Sequence, residues 1–223
     1  MSFFNLLFSE QLSQNKRVVI SGDSTLAAFA CRTDTIASHL FTSDEQTDGK
    51  TAVNIAVPGH TINQQLATWN TLSYAVKKSF DFIIIQIGLN DIYNTAITQC
   101  ISNLQNYVNT VNSSKKTGAK IILSCMLPCK QRWIALNTPG FDPYLQNDPV
   151  VTQQNWIDLN KSIMNQNTSL PNITGVDFRN NYHVSLMDDG NGNLKPAYDC
   201  GDYIHENQAG ADIIIQGFRG YLN

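Results

Sequence analysis

Along the 223 residues, apolar positions gather into four short runs rich in Val and Ile: Val18 to Ser21, Ala52 to Val57, Phe82 to Ile87, and Lys120 to Cys125. A weaker fifth covers Ile173 to Phe178. Each has strand length, and the apolarity is continuous instead of alternating. That is the pattern of strands buried on both faces, as in parallel sheets covered by helices. Between the runs the period becomes helical. Leu26, Phe29, Ala30, Ile36 and Leu40 mark one stripe. Ile97, Ile101, Leu104, Val108 and Val111 mark another, closing on Lys115 and Lys116 before Gly118. Cations in the last turn and a glycine just beyond are what a helix C-terminus favours. Further helices are expected from about Val151 to Asn165 and from about Asn207 to Leu222. The order βαβαβαβαβα predicts a doubly wound α/β domain, a three-layer α/β/α sandwich around a parallel sheet of about five strands. No boundary or repeat interrupts it, so residues 1–223 are expected to form one domain.

Two connections are too long for simple turns. Residues 127–149 carry Trp133, Phe141 and Tyr144, and residues 179–204 carry Tyr182, His183 and Tyr198. Loops of that length in a compact domain are usually functional or disordered, and their aromatics argue for order.

Composition narrows the picture. The chain is 42% hydrophobic and 15% charged, enough for a core and too apolar for disorder. A formal net charge of -3 leaves no basic footprint for nucleic acid or an anionic membrane. The opening "MSFFNLLFSEQLSQ" lacks the basic start and long apolar run of a signal peptide and reads as a short amphipathic helix packed on the domain. No segment approaches the roughly 20 apolar residues of a spanning helix, so a soluble chain is expected. Of the five cysteines, Cys31, Cys100, Cys125, Cys129 and Cys200, none forms a CxxC pair, which disfavours structural zinc. Cys129 and Cys200 both fall in predicted loops and are the pair a single disulfide would join. The odd count and the scatter favour mostly reduced, buried thiols.

In open α/β sheets, ligands bind beyond the carboxyl ends of the strands, where the strand order reverses. The residues just past each predicted strand are therefore the ones to read for chemistry. After the first comes Gly22-Asp23-Ser24; after the second, Pro58-Gly59-His60; the third ends in "GLND", Gly88 to Asp91; and before the last helix lies "DYIHEN", Asp202 to Asn207. A hydroxyl, a flexible glycine, a carboxamide and an Asp/His pair on one rim are the inventory of a serine hydrolase. Taken singly, each has a structural use. Ser24 could cap the next helix, Gly59 could permit a positive-φ turn, Asn90 and Asp91 could cap the third helix or close an Asx turn, and His205 could lie on the surface near a helix start. Four such placements in order are much harder to obtain by accident.

With these blocks, Ser24 in "GDS", Gly59 in "NIAVPG", Asn90 in "GLND" and His205 in "DYIHEN", the chain resembles the SGNH hydrolase superfamily of GDSL-type esterases and lipases. Asn207 and Gly210 also match that family's His-x-Asn-x-x-Gly run. Ala56 stands where the second block commonly has glycine, Glu206 where proline often follows the histidine, and Thr25 where the first block has leucine. None of these removes a reacting group. The resemblance implies Ser24 as nucleophile, His205 as its base and Asp202 as the carboxylate that orients the ring, from the Asp-x-x-His spacing; Asp199 and Glu206 are the competing orienters. It further implies an oxyanion hole from the Ser24 and Gly59 N–H groups and the Asn90 side chain. In the flavodoxin-like strand order 2-1-3-4-5, the switch point falls between the first and third strands, which Ser24 and Asn90 follow. The α/β-hydrolase fold is disfavoured, since no G-x-S-x-G elbow occurs.

The long loops mix aromatics with Asn, Gln, Asp and Arg, a combination suited to sugar rings. An O-acetyl carbohydrate or other short-chain ester is therefore the leading substrate, with His60, Trp133 and Tyr198 as candidate contacts. A lysophospholipase or thioesterase with the same machinery is the alternative, and a non-catalytic glycan-binding module of a larger assembly is a third reading. No cofactor or metal is expected: neither G-x-G-x-x-G nor a P-loop occurs, His39, His60 and His183 have no metal-ligand spacing, and "DDGNGN", Asp188 to Asn193, lacks the glycine and the acidic last ligand of a calcium loop.

Overall fold

The computed structural model describes residues 15–132 and 148–222. The expected N-terminal helix and most of the 127–149 connection, Trp133 included, lie outside them. Five parallel strands form one sheet in the order β2-β1-β3-β4-β5: β1 Arg17–Gly22, β2 Thr51–Asn54, β3 Phe82–Gln86, β4 Lys120–Ser124 and β5 Phe178–Asn180. The helices are α1 Ile36–His39, α2 Ser43–Thr47, α3 Ile62–Thr71, α4 Tyr74–Lys77, α5 Ile97–Ser114, α6 Pro149–Ile163, α7 Tyr182–Met187 and α8 Gln208–Arg219.

The continuous apolar runs have their explanation in two cores, one on each face of the sheet. Side chains alternate across a strand, so Val19, Ile83, Ile85, Ile121 and Leu123 face a core closed by Ile62 and Trp69 of α3, Leu104 and Val108 of α5, and Leu159 and Ile163 of α6. Their neighbours Val18, Ile20, Ile84 and Ile122 face the opposite core with Ile36 of α1 and Ile214 and Phe218 of α8. Among the described residues no helix is long and apolar enough to cross a membrane.

Three expected elements differ. The second strand spans only Thr51–Asn54 and stops three residues short of Val57, where Asn54 Oδ1 accepts the Ala56 N–H. The stripe from Leu26 to Leu40 does not make one helix; a turn follows β1, and only α1 is helical. Competing hydrogen bonds explain this. Asp23 Oδ1 accepts from the Thr25 N–H at 3.0 Å, the Arg32 guanidinium occupies the Thr25 and Ala27 carbonyls at 3.0 and 2.8 Å, and Ala30 is left-handed at φ 55°. Leu26, Ile36 and Leu40 still reach the core, whereas Phe29 remains 42% exposed. The fifth strand begins later than expected, at Phe178 instead of Ile173. Ile173 is buried, but its N–H bonds to Ser162 and Gly175 turns the chain at φ 80°, so pairing with β4 starts only near Asp177.

The cysteines also correct an expectation. Cys200 pairs with Cys31 and not with Cys129, which is a buried free thiol like Cys100 and Cys125. Cys129 is fully buried, whereas the turn after β1 brings Cys31 beside the loop that carries Cys200.

Candidate active site

Ser24 follows β1 by two residues, at the crevice where the strand order reverses between β1 and β3. It does not cap a helix. Asp23 takes the local capping role, accepting from both the Thr25 N–H and the Thr25 hydroxyl, so the Ser24 side chain is free to point elsewhere. Its Oγ lies 2.8 Å from His205 Nε2, across 181 residues of sequence.

His205 sits in the turn before α8, and Asp202 meets it three residues earlier. Asp202 Oδ2 is 2.5 Å from His205 Nδ1, while Oδ1 accepts the backbone N–H of Ile204 at 3.1 Å and of His205 at 2.9 Å. The carboxylate is thus fixed by the turn that presents the ring. Burial alone would raise Asp202, but the hydrogen bonds from the His205 ring and backbone and the Ile204 N–H outweigh it and hold the carboxyl below its ordinary value. The two competing orienters are otherwise engaged. Asp199 Oδ1 accepts from the Gly201 and Tyr203 N–H groups, and Glu206 lies 2.6 Å from Arg32 in an ion pair buried from solvent. Burial pushes Glu206 up to about 8 against the pull of Arg32, and Asp23 and Asp202 push the same way.

The glycine and asparagine blocks are physically joined. The His60 N–H bonds to the Val57 carbonyl at 3.2 Å, with Pro58 and Gly59 between them and Gly59 at φ 78°. Proline followed by a positive-φ glycine is what a type II turn requires. A Cβ on Gly59 would meet nothing within 4 Å, so the turn faces open space there. Asn90 Nδ2 donates to the His60 carbonyl at 3.0 Å, and Asp91 Oδ2 accepts from the Ile62 N–H at 2.9 Å, at the start of α3. Consecutive residues of "GLND" therefore hold the backbone just after Gly59, and Asp91 takes the first N–H of α3, whose N-cap is Thr61, instead of serving the helix after it. Burial raises Asp91 to about 7, with the Asp23 charge adding to the effect. Among the described residues the second hydrogen of the Asn90 amide has no protein partner. Among the described residues no protein partner takes the N–H of Ser24 or of Gly59.

At the end of the motif, the Asn207 side chain accepts the Gly210 N–H at 3.2 Å and donates to the Ala197 carbonyl at 3.0 Å, which fastens α8 to the loop before it. Gly210 has no room for a side chain: a Cβ would come within 2.7 Å of Glu206 Cβ and 3.0 Å of the Tyr198 carbonyl.

Of the expected substrate contacts, His60 is half-buried, with Nδ1 3.1 Å from Gln65 Oε1. Tyr198 packs against the core beneath α8, and Trp133 is outside the described residues. Two aromatics that are not among the expected contacts lie beside the Asp202–His205 turn. Phe29 stacks obliquely on His205, with ring centroids 4.7 Å apart, and Tyr203, 44% exposed and left-handed at φ 66°, stands between Asp202 and His205. A bulky non-glycine residue in that conformation is strained and worth a functional explanation. Tyr203 lines a groove of about 450 Å³ with Gln131, Asp189, Asn193, Asp199 and Gly201. "DDGNGN" forms a turn, with Asp188 Oδ1 accepting from the Gly190 and Gly192 N–H groups.

A family model described as the GDSL-like lipase/acylhydrolase family matches residues 20–213. Among curated proteins none matches the chain. Solved structures share the fold at low identity. A GDSL-like lipase from Bacteroides thetaiotaomicron superposes with a TM-score of 0.62 at 17% identity, over 99% of this chain and 97% of that one. The lipase/acylhydrolase from Enterococcus faecalis gives 0.55 at 20% identity, over 92% and 96%. An acetylxylan esterase from Geobacillus stearothermophilus gives 0.58 at 17%, over 93% and 94%.

Proposed function

Because the chain belongs to the GDSL-like lipase/acylhydrolase family and is a carboxylic ester hydrolase, we propose that residues 1–223 serve as one serine esterase domain that removes short acyl groups, chiefly O-acetyl, from a carbohydrate. The observation that carries the reading is the unbroken relay from Ser24 Oγ to His205 Nε2 at 2.8 Å and from His205 Nδ1 to Asp202 at 2.5 Å. A serine is a weak nucleophile without an adjacent base. His205 takes the Ser24 proton as Oγ attacks the ester carbonyl, and Asp202 holds the Nδ1–H tautomer and stabilises the imidazolium. The Ser24 N–H, the Gly59 N–H and the second Asn90 amide hydrogen serve the oxyanion. His205 returns the proton to the leaving alcohol, and a water deprotonated by the same ring then hydrolyses the acyl-serine.

The carbohydrate assignment draws on the groove beside Asp202. Its amide and carboxylate side chains match vicinal hydroxyls, Tyr203 offers an aromatic face, and an acetylxylan esterase has the same fold. Phe29 supports the second reading, a lysophospholipase or thioesterase, because an exposed ring against His205 suits a longer acyl chain. Hydrolysis of p-nitrophenyl esters of increasing chain length, together with acetate release from acetylated xylo-oligosaccharides, separates the two. Preference for acetyl and turnover of the oligosaccharide are expected; a rate that climbs toward long chains with no acetate released would overturn the carbohydrate assignment.

A further inference from the structure

The turn that carries Ser24 and the turn that carries His205 are irregular, with Ala30 left-handed in one and Tyr203 in the other. Among the described residues no strand ladder fixes one against the other. Two cross-links do. Arg32 Nη2 donates to the carbonyls of Thr25 and Ala27, just past Ser24, and lies 2.6 Å from Glu206 Oε1, just past His205. Its Nη1 donates to the Asp34 carbonyl at 3.0 Å, so the guanidinium is held from its own side as well. One residue away, Cys31 is bonded to Cys200, whose N–H donates to the His205 carbonyl at 2.8 Å.

A buried ion pair is a poor source of stability, since desolvation offsets most of its attraction and an apolar pair would serve the core as well or better. Its value here is geometric. A displacement of about 1 Å between reacting groups can cost about a hundredfold in rate. We propose that Arg32 and Glu206 are positioning residues that, with the Cys31–Cys200 bond, set the spacing of Ser24 Oγ and His205 Nε2, so that opening this clamp slows acylation and leaves substrate binding unchanged. The proposal rests on Ser24 and His205 being nucleophile and base.

The test compares wild type, Glu206→Gln, Arg32→Lys, dithiol-treated wild type and Ser24→Ala, each above about pH 8, where Glu206 carries its charge, and at a temperature where circular dichroism reports the folded state. A dithiol opens the bond by exchange. Its thiolate attacks one cysteine sulfur, its second thiol displaces that cysteine, the reagent leaves as a cyclic disulfide, and Cys31 and Cys200 together gain two electrons and two protons. Expected for each perturbation is a fall of about tenfold to a hundredfold in kcat on p-nitrophenyl acetate, KM within about twofold, and a parallel fall in the rate at which a fluorophosphonate labels Ser24. Reduction of Glu206→Gln should slow it by less than the product of the separate effects, because both act on one spacing. Wild-type kcat and labelling rate in the folded variants and in the reduced protein would overturn the clamp. If Glu206→Gln does not fold, Arg32→Lys and the reduced wild type decide the matter. Ser24→Ala isolates the premise: full activity there removes the nucleophile assignment, whereas an inactive Ser24→Ala beside unaffected clamp perturbations removes the clamp alone.

Discussion

Replacing Asp202 by asparagine isolates what the carboxylate does, because the change is nearly isosteric. Asp202 Oδ1 accepts two backbone N–H groups, from Ile204 and His205, and an asparagine Oδ1 can keep both. The turn should therefore hold its shape. The atom facing His205 Nδ1 at 2.5 Å changes instead, becoming an amide N–H donor. The ring must then accept at Nδ1 and carry its proton on Nε2, where it meets Ser24 Oγ at 2.8 Å and cannot take the hydroxyl proton. In a serine triad this tautomer error lowers kcat by about 10⁴, or about 5.5 kcal/mol of barrier. The assay is steady-state hydrolysis of p-nitrophenyl acetate, with thermal unfolding as a control for the fold. A second effect takes its sign from the depressed Asp202 carboxyl. Its contribution to stability is present above the ordinary carboxylate range and is lost as pH falls through the lower folded value, so wild type should lose this part of its acid resistance and Asp202→Asn should have none to lose. A folded Asp202→Asn enzyme within about tenfold of wild-type kcat would rule out this role and reopen Asp199 as the orienting group.

Asn90→Ala should cost about 10²–10³ in kcat, about 2.7–4 kcal/mol, if its amide serves the oxyanion; a change under about fivefold in the same ester assay counts against that role. Tyr203→Ser should lower kcat/KM for acetylated xylo-oligosaccharides roughly fivefold more than for p-nitrophenyl acetate, matching about 1 kcal/mol of aromatic contact, and equal losses on both substrates would place the sugar elsewhere. Glu206, raised from 4.5 to about 8, and Asp91, raised from 3.8 to about 7, bind protons more tightly when folded. The stability they confer is complete below their ordinary values and is lost as pH rises through the folded ones. The melting temperature should therefore decline between about pH 5 and 8, and Glu206→Gln should show a shallower decline; a parallel curve for the variant would speak against the assignment.

The parts of the fold that are legible in the sequence are those fixed by local pattern. Val18 to Ser21, Phe82 to Ile87 and Lys120 to Cys125 read as doubly buried strands because helices cover both faces of the sheet, and the boundaries of β1, β3 and β4 fall within a residue of those runs. The rim positions of Ser24 and Asn90 come from strand ends, and that of His205 from the start of the last helix. The rest depends on contacts far apart in sequence. The stripe after Ser24 has a helical period, but Arg32 draws off its carbonyls and Cys31 is tied to Cys200 across 169 residues. Residue spacing carries no trace of either bond, and the same is true of the Arg32 and Glu206 pairing. Tyr203 is invisible to local pattern, because nothing nearby distinguishes an aromatic held in solvent by a left-handed backbone from one packed inside.

The role of Ser24 as nucleophile underlies every step, and mass spectrometry after treatment with a fluorophosphonate probes it without assuming a natural substrate. Expected are a single phosphonyl adduct on the peptide containing Ser24, loss of p-nitrophenyl acetate hydrolysis in step with labelling, and neither label nor activity in Ser24→Ala. Esterase activity that survives in folded Ser24→Ala, or an adduct on another residue that tracks inactivation, would be incompatible with that role.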